Sequence, residues 1–280
     1  MNEFERSNRA NWNRLAPIHA QSGYYDVKAF KAGKSTLLPL EREEVGEVAG
    51  ERLLHLQCHF GLDTLSWARL GALVTGVDYS EEAVALARSL SAETGLPARF
   101  VLSPVADLPQ VLSGEFDVVY TSYGVLCWLP DLRRWAQVIA HFLRPGGRFY
   151  MVEGHPFANV FYNEPDATEL RVAYPYFHRP APEAYPCDGS YASDEAILHW
   201  TSYEWSHSLS DVVTALLSAG LRLEFLREFP FGGYRHLPFM VQGADGWWRL
   251  PEHQESVPLM FSLQARKPEA GAAAHSGGGR

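Results

Sequence analysis

The stretch Leu53-Leu54-His55-Leu56-Gln57-Cys58-His59-Phe60-Gly61-Leu62-Asp63, followed by Val74-Thr75-Gly76-Val77-Asp78-Tyr79-Ser80, constrains this chain more than any other part of it. A short apolar run enters a tight turn, a helical segment follows, and a second apolar run ends in an acid. That is the first βαβ unit of a dinucleotide-type sheet, with its acid about 20 residues past the turn, where a ribose hydroxyl acceptor belongs. The turn holds one glycine, Gly61, in place of G-x-G-x-x-G, and two histidines where small residues usually sit. A nicotinamide dinucleotide is therefore a poor match, and another adenosine-bearing ligand becomes the question.

Helix and strand signals alternate from about Glu51 to Glu153. Strands are expected at Leu53–Leu56, Leu73–Val77, Arg99–Leu102, Phe116–Tyr120 and Arg148–Glu153. Helices are expected at Asp63–Leu70, from Ser80 to Gly95 and from Asp131 to Arg144. Ser80 suits an N-cap, Glu81 and Glu82 suit the helix dipole, and Ala83, Leu86, Ala87 and Leu90 fall on one face. Apolar strands between amphipathic helices imply a parallel sheet covered on both faces. From His155 to about His207 the chain is rich in Pro, Tyr and His with little periodicity, which suggests a lid, a binding loop or a small insertion. Leu209, Val212, Val213, Leu216 and Leu217 then mark a helix closed by Gly220. Leu221–Phe229 and Leu259–Arg266 follow as strands with no helix between them, so they should pair antiparallel.

The net charge of −9, without a Lys/Arg cluster, disfavours nucleic acid as a partner. Cys58, Cys127 and Cys187 form no C-x-x-C pair and imply neither a disulfide framework nor a zinc knuckle. The first residues lack a signal-peptide pattern and no apolar run is long enough to span a bilayer, so a cytoplasmic location is expected.

In this order and spacing the chain resembles the class I S-adenosylmethionine-dependent methyltransferases over roughly Glu41 to Lys267. Four motifs carry the resemblance: the turn through Leu53–Asp63, the acid Asp78, the segment Ser103-Pro104-Val105-Ala106-Asp107-Leu108-Pro109, and Phe116–Tyr120 followed by Leu143-Arg144-Pro145-Gly146-Gly147. The His-Leu-Gln-Cys-His-Phe-Gly form of the turn looks like that of a subgroup of bacterial enzymes acting on small molecules. The resemblance implies an α/β, Rossmann-like seven-stranded sheet with helices on both faces, a last antiparallel strand and S-adenosyl-L-methionine as cofactor. It implies cofactor contacts at His55, Gln57, Cys58, Gly61, Asp63, Asp78, Tyr79, Ser103, Val105 and Ser122, with Asp78 on both ribose hydroxyls. Two positions depart from the family pattern. His55 stands where an acid usually orients the methionine ammonium, so carbonyls near Gln57 or the carboxylate of Asp63 would take over. Pro104 stands where an Asp often reads adenine, leaving Ser103, Asp107 or backbone near Val105.

The loop Thr121–Asp131 follows the fourth strand at the ligand-facing end of the sheet. It lacks the Asn/Asp-Pro-Pro-aromatic pattern of nucleic-acid amino-methyltransferases. Tyr123 and Trp128 are candidates to wall a substrate pocket, joined by Tyr24 and His155. A base for the acceptor would best be a histidine; His155 and His207 are placed for it by topology, with Tyr123 as a further catalytic candidate and Glu153 behind them. His55, Cys58 and His59 lack a clear fourth ligand and make a poor metal site, so no metal is expected. Residues 1–40 are expected to fold over the cofactor, 41–267 to form the methyltransferase domain with a substrate-covering insertion at 155–207, and 268–280 to be disordered. The expected activity is methyl transfer to a small molecule by in-line displacement. A non-catalytic S-adenosylmethionine-binding regulator is the alternative, an NAD-type oxidoreductase is disfavoured, and a homodimer is left open.

Overall fold

A computed structural model describes residues 1–193, 198–253 and 255–269. Three helices lead in: α1 (Glu3–Gln21), α2 (Val27–Lys31) and α3 (Pro39–Val45). The alternating unit follows as β1 (Arg52–Leu56), α4 (Leu62–Arg69), β2 (Leu73–Asp78), α5 (Glu81–Thr94), β3 (Ala98–Leu102), β4 (Phe116–Ser122), α6 (Leu132–Phe142) and β5 (Leu143–Gly154). Beyond it lie β6 (Glu183–Asp188), β7 (His199–Glu204), α7 (Leu209–Ser218), β8 (Arg222–Phe229), β9 (Val241–Gln242), β10 (Trp248–Arg249) and β11 (Met260–Arg266).

The main sheet runs β3-β2-β1-β4-β5-β11-β8, and β11 pairs antiparallel with both β5 and β8. This is the seven-stranded sheet with a last antiparallel strand that the family resemblance implies. Its two faces are written in the period-2 alternation of the strands. Leu54 and Leu56 of β1 join Val119, Phe149, Met151, Phe261 and Leu263 in a core under α6 and α7. Leu53, with Val118, Tyr120, Tyr150 and Val152, packs on the opposite face against Val45 and Trp67. Strand order reverses between β1 and β4, so their C-terminal ends diverge and leave the crevice in which such sheets bind ligands.

Two segments differ from the sequence expectation. The first 40 residues contain a 19-residue helix, α1, opened by a capping box between Asn2 and Glu5. The 155–207 interlude contains an antiparallel hairpin, β6–β7. Its alternation escapes a hydrophobic scan because one face mixes Tyr185, Cys187 and Trp200 with Glu183, Ser202 and Glu204. A side chain of α1 completes the hairpin edge: Asn8 donates to the Tyr203 carbonyl at 2.7 Å and accepts from its amide at 3.0 Å. Asn11 adds a bond to the Thr201 carbonyl at 2.9 Å. The other flank of α1 is tied to α5, where Asn13 bonds Ser80 and Glu81, each at 2.7 Å, and Arg9 pairs with Glu81. Of the tail predicted disordered, residues 270–280 lie outside the described residues.

Glu41 of α3 is buried at 0% exposure, accepting from Tyr120 Oη and the Leu38 amide at 2.6 Å each. Burial, reinforced by nearby Asp63, pushes its carboxyl up to about 8. The folded chain thus keeps a proton that the unfolded chain releases near the ordinary value. This contribution to stability is complete below pH 4.5, fades as pH rises and is gone above about 8. Glu41→Gln, which cannot ionise, is therefore expected to gain on the wild type by roughly 5 °C or more in melting temperature between pH 5 and pH 9. An equal difference at both pH values would contradict the buried-proton assignment.

Candidate active site

The cleft over the ends of β1, β2 and β3 is lined by Gln57, Val77, Asp78, Tyr79, Ser103, Pro104, Val105 and Ala106. Trp128 to Asp131, Arg134 and Trp135 close its far side, and Glu5 of α1 reaches its rim. The turn after β1 is strained. Gln57 and His59 have φ of 56° and 50°, and Gly61 has φ of 84°. Non-glycine residues in the left-handed region cost about 1–2 kcal/mol each. Of five such residues among those described, Gln57 and His59 lie at the end of β1 and Tyr123, φ 28°, at the end of β4. Strain is concentrated where the strand ends diverge, a pattern associated with ligand sites.

Asp78 organises this turn. One carboxylate oxygen accepts from the His59 amide and the other from the Ser80 amide, each at 2.9 Å. Burial raises its carboxyl to about 6 despite these donors. Each oxygen keeps a lone pair for a further donor at the cleft. Two polar atoms of the lining, Gln57 Oε1 and Tyr79 Oη, are buried without a partner among the described residues. Groups of that kind call for a ligand or ordered water.

His55 is not part of the lining. Its ring is buried, with Nδ1 2.8 Å from Thr64 Oγ1 and its edge on Tyr120. Burial holds its pKa down at about 3, so it brings no positive charge to the site. Cys58 is also buried, and burial drives its thiol pKa well up. His59 turns away from both, its Nε2 3.0 Å from His19 Nδ1. Asp63 accepts from Thr36 Oγ1 at 2.5 Å, and burial raises its carboxyl above the ordinary value. Ser103 Oγ donates to the Pro104 carbonyl and its amide donates to the Asp78 carbonyl at 2.9 Å, while Ser103 and Val105 both line the cleft.

The two histidines expected to act as bases are engaged elsewhere. His155 Nδ1 accepts from the Phe157 amide at 3.1 Å and Nε2 faces Glu228 at 2.8 Å, at the β8 side of the sheet. His207 Nε2 donates to the Leu129 carbonyl at 2.7 Å and the ring stacks on His178; burial takes its pKa down to about 4. Neither lines the cleft. Glu153 is likewise committed, accepting from the amides of Gly124, Val125 and Gly154 at 2.5, 2.8 and 2.7 Å. It shapes the loop after β4. Trp128 does line the cleft, its Nε1 donating to the Gly124 carbonyl at 2.7 Å and its ring edge-on to Trp12. Tyr123 Oη is buried and unpartnered among the described residues, and Tyr24 is 58% exposed beside Tyr25 and Tyr191.

Sequence reasoning did not single out the pairing of His19. Its Nε2 lies 2.9 Å from Ser190 Oγ at the hairpin tip, so a hydrogen-bonded chain runs from the turn through α1 to the insertion. Tyr25 and Tyr191 join the same elements hydroxyl to hydroxyl at 2.5 Å. Burial lowers His19 to about 4 and His59 well below 6.5. The unfolded chain therefore takes up protons first as the medium becomes acidic. Stability from this pair is intact above pH 6.5 and declines as pH falls toward about 4. His19→Gln is expected to reduce the loss of melting temperature between pH 7 and pH 5 by a few degrees; an unchanged loss would contradict it.

Residues 54–151 match the family model described as a methyltransferase domain. A ubiquinone biosynthesis O-methyltransferase of Xanthomonas euvesicatoria is 38% identical over 131 residues, 46% of this chain and 54% of that protein. The chain spans about half the length of the curated relatives it matches. Among solved structures, an S-adenosylmethionine dependent methyltransferase from Mesorhizobium loti aligns with a TM-score of 0.58 at 19% identity, covering 84% of this chain and 99% of that one. One from Clostridium acetobutylicum aligns with a TM-score of 0.55 at 14% identity, covering 92% and 99%. The fold is that of the class I methyltransferases. Within it, residues 54–151 are similar to a methyltransferase domain.

Proposed function

We propose that this protein transfers a methyl group from S-adenosylmethionine to a small-molecule acceptor. The observation that carries the reading is the strained turn Gln57–Gly61, with its His59 amide bonded to Asp78 beside an open cleft. Non-glycine residues held in glycine-like conformations preserve the backbone path of a cofactor turn although its glycines are missing. The partnerless Gln57 Oε1 and Tyr79 Oη fit a polar ligand in that cleft. The related proteins are named for O-methyl transfer in ubiquinone biosynthesis and for dependence on S-adenosylmethionine.

Bound there, the cofactor would supply an electrophilic methyl on a sulfonium. Asp78 would accept from the ribose hydroxyls through its remaining lone pairs, while Val105, Leu129 and Trp128 would wall the base. Asp63, held by Thr36, and Ser122 at the end of β4 would serve the methionine end in place of an acid at position 55. A neutral His55 leaves the sulfonium unopposed. Helix α1 and the β6–β7 hairpin would exclude water above the turn, in the covering role assigned to residues 1–40 and 155–207. Tyr24, Tyr123 and Trp128 would border the acceptor. With His155 and His207 bonded elsewhere, the rate would come from positioning for an in-line displacement, which alone can supply a large effective molarity. The absence of a nucleic-acid partner belongs to the same proposal, supported by the net charge of −9, and a cytoplasmic location is proposed with it. Among the described residues no helix is long and apolar enough to cross a membrane.

The test is incubation with methyl-tritiated S-adenosylmethionine and the small-molecule ultrafiltrate of a cell extract. Label moving to a small molecule is the expected result. Tight binding of S-adenosylhomocysteine without any transfer would favour a non-catalytic binding protein.

A further inference from the structure

The carboxylate of Glu153, near the end of β5, is buried and collects backbone amides from the loop after β4. Its Oε1 accepts from Gly124 at 2.5 Å and from Gly154 at 2.7 Å. Its Oε2 accepts from Val125 at 2.8 Å and from Leu126 at 3.4 Å. A carboxylate withdrawn from water is tolerated when donors of this kind replace the water.

The peptide units that hold Glu153 also reach the cleft. A planar trans peptide points its N–H and its C=O in opposite directions. In the unit joining Gly124 to Val125, the N–H donates to Glu153 and the C=O accepts from Trp128 Nε1 at 2.7 Å. In the unit joining Val125 to Leu126, the N–H donates to Glu153 and the C=O accepts from Gln57 Nε2 at 2.9 Å. The Trp128 amide shares that second carbonyl at 3.3 Å. Gln57 and Trp128 line the cleft from opposite sides, whereas Glu153 does not line it. The chain does not adopt this arrangement by preference. Tyr123 and Gly124 have φ of 28° and 75°, a left-handed pair that costs a tyrosine and that a glycine leaves free to rotate.

We infer that Glu153 is a positioning residue, which through these two peptide units sets where Gln57 and Trp128 stand in the cofactor cleft. The inference deepens the methyltransferase reading and takes the identity of the ligand from it. Rotating either unit withdraws an N–H from Glu153 and a C=O from a cleft side chain together. Hydrogen bonds in series polarise one another, so an N–H donating to an anion makes its own carbonyl the better acceptor. The bonds made by Gln57 and Trp128 therefore depend on a charge that neither side chain touches. With Nε2 held by Val125, Gln57 keeps Oε1 as the group without a partner among the described residues. Trp128, held by Gly124, keeps its ring edge-on to Trp12 of α1.

The experiment is a mutant cycle on the full chain, read by calorimetric titration of S-adenosylhomocysteine. Glu153→Gln preserves size but turns one oxygen into a donor facing amides that need an acceptor. It is expected to weaken binding about 5- to 50-fold alone, and less than about threefold when Gln57→Ala and Trp128→Phe are already present. A second readout is the Trp128 indole N–H in the NMR spectrum, identified as the signal missing from Trp128→Phe. Without ligand, it should exchange with solvent at least about tenfold faster in Glu153→Gln than in wild type. A merely structural role would weaken binding by the same factor in both backgrounds and leave the indole exchange unchanged. That result would overturn the inference, as would an affinity of Glu153→Gln within twofold of wild type. Should Glu153→Gln not fold, Glu153→Asp, which keeps the charge one methylene short of the loop, replaces it under the same criteria. Wild-type protein that takes up no S-adenosylhomocysteine would remove the methyltransferase reading instead, and the indole exchange then decides the positioning role by itself.

Discussion

Gly61→Ala is expected to cost the fold about 2–5 kcal/mol and to lower the melting temperature by roughly 5–15 °C. Two independent effects add. The residue has φ of 84°, which a Cβ disfavours, and that Cβ would stand 2.8 Å from Phe100 Cε1 and Cζ and 3.0 Å from Ala87 Cβ. The phenylalanine ring cannot simply retreat. It is buried and also fills the space beside Gly76, where a Cβ would meet it at 2.7 Å and Cys58 Sγ at 2.9 Å. The turn, α5 and β3 therefore close on one another through two glycines and a single ring. Thermal melts of the variant settle the point, and a loss below about 1 kcal/mol would mean that the turn yields more easily than this packing allows.

Asp78→Asn is the second large effect, on binding. The substitution keeps one acceptor oxygen but turns the other into a donor facing one of the two amides, His59 or Ser80, that now bond separate oxygens at 2.9 Å. A hydrogen bond to a charged group contributes about 1.5–3 kcal/mol, so affinity for S-adenosylhomocysteine should fall roughly 10- to 100-fold. Stability should move the other way at alkaline pH. Burial raises Asp78 to about 6, so its ionisation weakens the ligand-free fold as pH rises from 3.8 through 6, and the amide escapes that. Calorimetry and melting of the same variant read both effects. Undiminished affinity would remove Asp78 from the ribose contact.

The β1–β5 alternation and the reversed final strand were legible in the sequence because each follows from local periodicity; of the residues implied by the family resemblance, Asp78, Ser103 and Val105 line the cleft and Gly61 does not. Helix α1 was not. Its sequence is polar, with Asn8, Asn11 and Asn13 and an internal Pro17, and its partners are a hairpin edge and the start of α5. His19 reaches Ser190 across 171 residues, a separation no local pattern encodes. His155 and His207 show the converse limit. Topology places their backbones after a strand and before a helix, but side-chain direction is decided by Glu228, Phe157 and Leu129. His55 was legible as a departure from the family pattern. That it is harmless to a sulfonium follows only from its burial and its bond to Thr64.

The central claim is that the glycine-poor turn Gln57–Gly61, with Asp78, holds an adenosyl cofactor. Calorimetric titration of S-adenosylhomocysteine into the folded wild-type protein tests it most directly. One site per chain is expected, with a dissociation constant of roughly 1–100 μM and no heat from NAD. A folded protein that takes up no S-adenosylhomocysteine, or prefers NAD, would contradict it.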